Sequence, residues 1–265
     1  MKKSILFLAI LITLISCKSE FESVRTSNDP ALIYQKALDF YDKEDWIKAQ
    51  TLLELSIPNY RGKDEAEELF FKYAMAHYLN DEYILSAHYF KSFATTFYNS
   101  DKREEAEFMS AYSNFNMSPN AKLDQTNTEK AIEGFQLFIN AHPKSERVEE
   151  CNNLIDKLRV KLEKKAFMQG DLYYNIGQYQ SAVKSFENML NDFPDSKNSE
   201  QVRFLMLKSS YRLAEKSVYS KKEERYSAVV ALYNKFIKKH PTSKYKKEAV
   251  GINKNTQKEL KKLQA

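Results

Sequence analysis

The chain has 265 residues, with 41 Lys/Arg against 36 Asp/Glu, a formal net charge of +5, and only 5 glycines and 2 cysteines. Two cysteines exclude a disulfide framework, and so little glycine argues for helices joined by few tight loops. His77, His88, His142 and His240 are scattered, no His/Cys/Glu group has metal-ligand spacing, no glycine-rich loop could cradle phosphate and no nucleophile motif is present. The chain therefore reads as a non-enzymatic protein without a cofactor.

Lys2 and Lys3 precede an apolar run over residues 4–15 that is too short to span a bilayer. It ends in Leu14-Ile15-Ser16-Cys17, which resembles the bacterial lipobox. Residues 1–16 are then a lipoprotein signal peptide, and Cys17 carries a covalent lipid as the membrane anchor. An ordinary secretory signal with an incidental cysteine is the other reading. Residues 17–30 read as a polar, lipidated tether ending at Asp29-Pro30. Lys18 stands where an aspartate retains many lipoproteins in the inner membrane, so outer-membrane delivery is expected. Nucleic acid is excluded as a partner there. Cys151 is left alone near a helix start and reads as a buried, inert thiol.

The remainder shows a recurring pattern. Residues 166–196 contain Gly170-x2-Tyr173, Gly177, Tyr179, Ala182-x3-Phe186 and Pro194, in the order of a tetratricopeptide repeat. Gly170 and Ala182 are expected where two antiparallel helices meet, with Phe186 between them. Ala37/Ala49 and Ala74/Ser86 keep the same twelve-residue spacing, followed by Leu53 and Phe90. Ala131-x3-Phe135 and Val229-x3-Tyr233 mark two more second helices. The helix ends repeat as Phe97-Tyr98-Asn99-Ser100, His142-Pro143-Lys144-Ser145, Phe193-Pro194-Asp195-Ser196 and His240-Pro241-Thr242-Ser243. Each serine is placed to cap the next helix.

The expected fold is an all-α tetratricopeptide-repeat solenoid. Its five helix pairs span roughly 30–60, 65–99, 101–142, 147–195 and 199–241, with a C-terminal helix near 243–263. Residues 31–146 form the N-terminal repeats, and 147–265 the C-terminal repeats and terminal helix. Prolines sit only at expected turns. Insertions fall at 118–127 and around Lys221, Lys222, Glu223 and Glu224. The long helix from Val148 reads as a continuous connector.

Two surfaces are candidates for binding. Aligning Ala37, Ala74 and Ala111 puts Tyr34, Leu38, Tyr41, Phe71, Met75, Tyr78, Phe108, Tyr112 and Phe115 at neighbouring positions of three first helices. They line a groove for extended apolar peptide or close the core between repeats; the sequence leaves both open. Residues 216–265 carry 14 Lys/Arg against 4 Asp/Glu. There, Lys235, Lys238, Lys239, Lys244, Lys246 and Lys247 form either a solvated face or a docking surface for an acidic partner.

The lipobox, the five repeat units and the insertion Ser118-Pro119…Leu123-Asp124-Gln125-Thr126-Asn127-Thr128 running into Ala131, Phe135, Phe138, Pro143 and Ser145 together resemble the BamD family. Its members are lipoproteins of the outer-membrane protein assembly (BAM) complex. The resemblance implies a position on the periplasmic side of the outer membrane. It also implies docking on a BamA-like β-barrel subunit through the C-terminal repeats, and receipt of unfolded β-barrel substrates by the N-terminal ones. This chain has Asn175-Ile176-Gly177 where several members carry a basic residue, so that contact does not carry over. The alternative is a periplasmic repeat scaffold coordinating cell-envelope enzymes. If Cys17 is the anchor, Cys17→Ala leaves the protein unprocessed or released from the outer-membrane fraction. Unchanged fractionation and acyl labelling would contradict it.

Overall fold

The computed structural model of the chain describes residues 20–264; the signal segment 1–16 and Cys17 lie outside the described residues. Among these the regular elements are helices: α1 (Glu20–Arg25), α2 (Pro30–Asp42), α3 (Trp46–Tyr60), α4 (Ala66–Leu79), α5 (Tyr83–Thr96), α6 (Arg103–Asn116), α7 (Thr126–Ala141), α8 (Val148–Asn175), α9 (Tyr179–Asp192), α10 (Ser199–Glu215), α11 (Tyr219–Lys239) and α12 (Lys246–Leu263). The five expected pairs are α2–α3 through α10–α11, and α12 follows. None of the described helices is long and apolar enough to cross a membrane.

The tether is not all loop, because α1 lies inside it. Phe21 and Val24, three apart, give α1 a short apolar face: Val24 is buried and Phe21 meets Phe40 edge-on at 5.9 Å. Asp29 then caps α2, accepting from the Ala31 and Leu32 amides at 3.0 and 3.1 Å, with Pro30 in the first turn. Pro58 departs from the turn-only expectation. It sits inside α3, two residues before the helix ends at Tyr60. So near the end, the missing amide and ring clash disturb only the last turn.

The chain divides into two compact units. The first runs to Pro119 and resumes over Gln125–Ile155; the second takes Asn120–Asp124 and everything from Asp156. The division thus runs inside the 28-residue α8, not at the turn before it. No proline or glycine interrupts α8 before Gly170, so the chain passes from one unit to the other without a turn.

In the first unit Ala37, Ala74 and Ala111 are buried, as are Ala49, Ser86 and Ala131 on the second helices. Ser86 is satisfied by the Ser113 hydroxyl at 3.0 Å. Leu53, Phe90 and Phe135 are fully buried beside them. The closest approach is at Gly134 of α7. A Cβ there would lie 2.8 Å from Ala111 Cβ and 3.2 Å from its Cα. Cys151 is fully buried, and burial pushes its thiol up to about 11.

In the second unit Ala182, Phe186, Met189 and Val202 form one core cluster, and Phe204, Leu207, Tyr226, Val229 and Phe236 belong to another. A Cβ on Gly170 would meet Phe186 Cε1 at 2.5 Å. Gly170 therefore makes room for the Phe186 ring, rather than for the backbone at Ala182. In α11 the fully buried ring is Phe236; Tyr233 is only half-buried. The charged stretch before Tyr226 is not a loop insertion. It has no helix breaker, Lys221 pairs with Glu224 at 3.2 Å, and it extends α11 back to Tyr219. The insertion at 118–127 stays irregular up to α7. Within the second unit its Ala121 is buried, and the Leu123 carbonyl accepts from Lys165 Nζ at 2.6 Å.

Three of the five turns inside pairs share one geometry. Glu44, Asp81 and Gly177 have φ of 60°, 59° and 79°. The next amide reaches back five residues: Asp45 to Phe40, Glu82 to His77 and Gln178 to Tyr173, each at 2.9 Å. This is the Schellman arrangement, which favours glycine, yet two pairs make it with acidic residues.

Four of the five turns that follow a second helix hold a link that the sequence pattern does not reveal. Ser100, Ser145, Ser196 and Ser243 each accept from the amide two residues on, at 3.0–3.1 Å. Each also donates to a glutamate of the preceding first helix: Glu67 at 2.7 Å, Glu104 at 2.6 Å, Glu163 at 2.6 Å and Glu200 at 2.5 Å. The serines therefore shape the turn and bind back to the helix pair, and do not cap the next helix as expected: Lys102, Asn198 and Tyr245 stand at the N-caps after Ser100, Ser196 and Ser243, without a side-chain cap bond.

Overpacking at the two glycines tests this packing. Gly134→Leu and Gly170→Leu should each destabilise by about 1–3 kcal/mol or more. Gly251, where an added Cβ would meet nothing within 4 Å, should tolerate Ala. Urea melts followed by circular dichroism check this, and wild-type melts for both leucine variants would refute the close approach.

Candidate functional site

The aromatic residues of the first unit sort by position relative to the small core residue. Three residues before it come Tyr34, Phe71 and Phe108. Tyr34 packs on Tyr60 at 4.7 Å; Phe71 packs on Phe90 and Phe93 at 5.5 and 5.3 Å. Phe108 is 2% exposed, between Phe135 and Phe138 and beneath the Arg147 guanidinium at 4.2 Å. Phe108 is therefore core, which corrects its place in the groove. Tyr34 and Phe71, though half-buried, lean on core rings in the same way.

Four residues after the small position come Tyr41, Tyr78 and Phe115. Tyr41 meets Trp46 edge-on at 5.2 Å and Tyr78 meets Tyr83 at 5.5 Å, so both close the turn inside their pair. Tyr174 and Tyr179 repeat this at 5.7 Å in the second unit. Lys72 Nζ stands 4.3 Å over the Tyr41 ring, while burial pushes the Tyr41 phenol up to about 12. The Tyr83 phenol is also pushed up to about 12, chiefly by its 2.5 Å hydrogen bond to Asp81.

One residue after the small position come Leu38, Met75 and Tyr112, all half-buried. Tyr112 stacks between Phe108 at 5.4 Å and Phe115 at 5.6 Å, and lies 6.3 Å from Tyr78. The Asn116 amide donates to Tyr78 Oη at 3.1 Å. The structure thus joins Tyr78, Tyr112 and Phe115 into one half-buried row across α4 and α6. Tyr83, which the sequence pattern does not single out, continues it. The ring of Tyr34 is occupied within the first pair, and that of Tyr41 by Trp46 and by Lys72 of α4.

The basic residues stand apart. Lys235, Lys238, Lys239, Lys244, Lys246 and Lys247 are all exposed, and none forms an ion pair among the described residues. Lys244 lies 5.0 Å over the Tyr245 ring. His142 and His240 pack on Phe138 and Phe236 at 5.1 and 5.7 Å, so both belong to the repeat framework. No group of three or more His, Cys, Asp or Glu among the described residues could hold a metal ion. A groove on the second helices of the second unit is also hidden in the sequence, because its walls alternate apolar and charged residues as a solvated face does.

Helix pairs in register, small facing residues and repeated turns define a tetratricopeptide-repeat protein. Residues 26–224 and 161–264 match the model of the YfiO outer membrane lipoproteins, and the chain belongs to that BamD-like family. No curated protein matches it significantly. Among solved structures it is similar to a TPR repeats protein of Bacteroides fragilis, 15% identical over 90% of this chain and 97% of that one, with a TM-score of 0.41. It is also similar to the TPR2AB domain of yeast Sti1 in a pHSP90 complex, 13% identical over 86% and 98%, with a TM-score of 0.39.

The enclosed position of Phe108 predicts that Phe108→Ala lowers stability by about 3–5 kcal/mol. Tyr112→Ala should cost clearly less, because its ring is half-exposed. Thermal melts of the two variants check this, and equal losses would mean that Tyr112 is core as well.

Proposed function

We propose that the chain is the repeat-containing lipoprotein subunit of an outer-membrane β-barrel assembly machine. In this reading it is non-enzymatic and held to the periplasmic face of the outer membrane by lipid on Cys17. It docks on a BamA-like subunit through its second unit and helps receive unfolded β-barrel substrates along the half-buried row of its first. The observation that carries the reading is the family match, whose two overlapping ranges together span residues 26–264. Two features support the division of labour. Met75, Tyr78, Tyr112 and Phe115 offer apolar surface that the core does not consume, suited to the alternate apolar residues of an unfolded strand. The six lysines offer unpaired positive charge, which steers an acidic partner.

Co-purification from solubilised outer membrane should recover a large β-barrel protein. Recovery of murein enzymes without it would replace this reading by the scaffold one. Reversing Lys238, Lys239, Lys246 and Lys247 to Glu should weaken capture of the β-barrel subunit, most at low salt. Met75→Ala with Tyr112→Ala should spare that capture and reduce crosslinking to β-barrel C-terminal peptides, with circular dichroism unchanged. If the charge reversal leaves capture intact at low salt, the lysines are only a solvated face.

A further inference from the structure

The second unit holds a groove between α9 and α11, floored by α10. Its larger part, about 480 Å³, is apolar at Val183, Met206, Leu213, Ala228, Ala231 and Leu232. A smaller part of about 200 Å³ continues it past Glu187, Met206 and Leu232 to Arg203 and Lys235. Groove-facing positions run from Gln180 to Asn191 on α9 and from Arg225 to Phe236 on α11. The eleven helical rises between the end residues of each wall correspond to about 16 Å, or three helical turns.

The charges along this groove are unbalanced. Glu187 is already paired with Lys184 at 2.9 Å. Arg203 has a buried Nε without a hydrogen-bond partner, and neither Arg203 nor Lys235 has an ion-pair partner among the described residues. At the other end Arg225 spends one amine on the Ser217 hydroxyl at 2.6 Å. Apolar floor and cations at both ends call for a partner with the opposite arrangement.

We infer that this groove binds an amphipathic α-helix of about three turns with acidic residues at both ends of its apolar stripe. The choice of a helix follows from backbone chemistry. Among the described residues there is no strand, so an extended peptide seated in this groove would have to keep its amides and carbonyls on water, which an apolar floor disfavours. A helix satisfies its own backbone and needs only side-chain contact. Ala228 and Ala231, three apart on α11, are small and exposed, which lets a third helix come close. The inference shares Lys235 with the proposed docking face but does not need the BamA-like subunit: any partner supplying such a helix fits it.

The test uses the full chain in detergent and a fluorescent 14-residue stapled helix. Its leucines follow an i, i+3, i+4, i+7 stripe with glutamates at both ends; its twin carries lysines instead. Anisotropy should show the acidic helix binding at least about tenfold more tightly than the twin. Ala231→Glu, which places bulk and like charge in the groove, should weaken it about tenfold. R203Q with K235Q should remove most of the preference for the acidic probe. Circular dichroism of each variant should match wild type, since Ala231 and Lys235 are exposed helix positions. Equal binding of the two probes, no binding below about 1 mM, or binding that Ala231→Glu leaves unchanged would each overturn the inference. So would sedimentation showing a dimer that Ala231→Glu dissolves, because the face would then be an interface between two copies of this chain.

Discussion

The array rests on one steric constraint: two helices can close on each other only where one of them gives up its side chain. At Ala111 and Gly134 one helix keeps only a methyl group and the other nothing, and the bare Gly134 leaves room for the Ala111 Cβ and Cα. At Gly170 only one helix gives up its side chain, and the space is filled by the Phe186 ring. A glycine inside a helix costs about 1 kcal/mol relative to alanine. Fully burying a phenylalanine returns about 1.5–3 kcal/mol. The exchange is favourable only while that ring stays enclosed, and Phe186 is fully buried.

A second interaction converts isolated pairs into an array. Each serine between pairs holds its own turn and donates to a glutamate one pair back. A hydrogen bond to a charged group contributes about 1.5–3 kcal/mol, and partial exposure puts these at the lower end. Glu67, Glu104 and Glu200 are the second residues of their helices, where the helix dipole also favours an anion. Glu163 lies deep inside α8 instead. Yet Glu67 precedes Ala74 by seven residues, Glu104 precedes Ala111 by seven, and Glu163 precedes Gly170 by seven. The repeat helix therefore begins near Glu163, and the residues of α8 before it are an added connector. That places the connector on both sides of the division at Ile155.

The pair boundaries were legible because they depend on local chemistry: small residues twelve apart, an aromatic near each helix end, a serine in each turn. What was not legible depends on directions that spacing alone does not fix. Phe108 and Tyr112 are four residues apart on one helix face, and only the arrangement of Phe135 and Phe138 decides which of the two is sealed. The glutamate partners of the serines were hidden because an acidic residue in a first turn already has a sufficient explanation. The charged segment before Tyr226 looked like an insertion because its charge distracts from its lack of any breaker. In α1 a run of six residues gave too short a pattern, although Phe21 and Val24 carry it.

For a protein read as doing no covalent chemistry, function lies in what the core and turns leave unused. The first unit leaves apolar area: Met75 and the Tyr112 row are neither sealed nor fully wet. Such area binds in proportion to what it buries and discriminates weakly between sequences, which suits substrates that share only an alternating apolar pattern. The second unit leaves unpaired cations around a narrow apolar floor. Charges at a rim set encounter rate and orientation more than affinity, and a floor of fixed width selects one shape. On the proposed reading the two leftovers take different kinds of partner: many unfolded chains held loosely on one unit, and one folded element held in a defined register on the other.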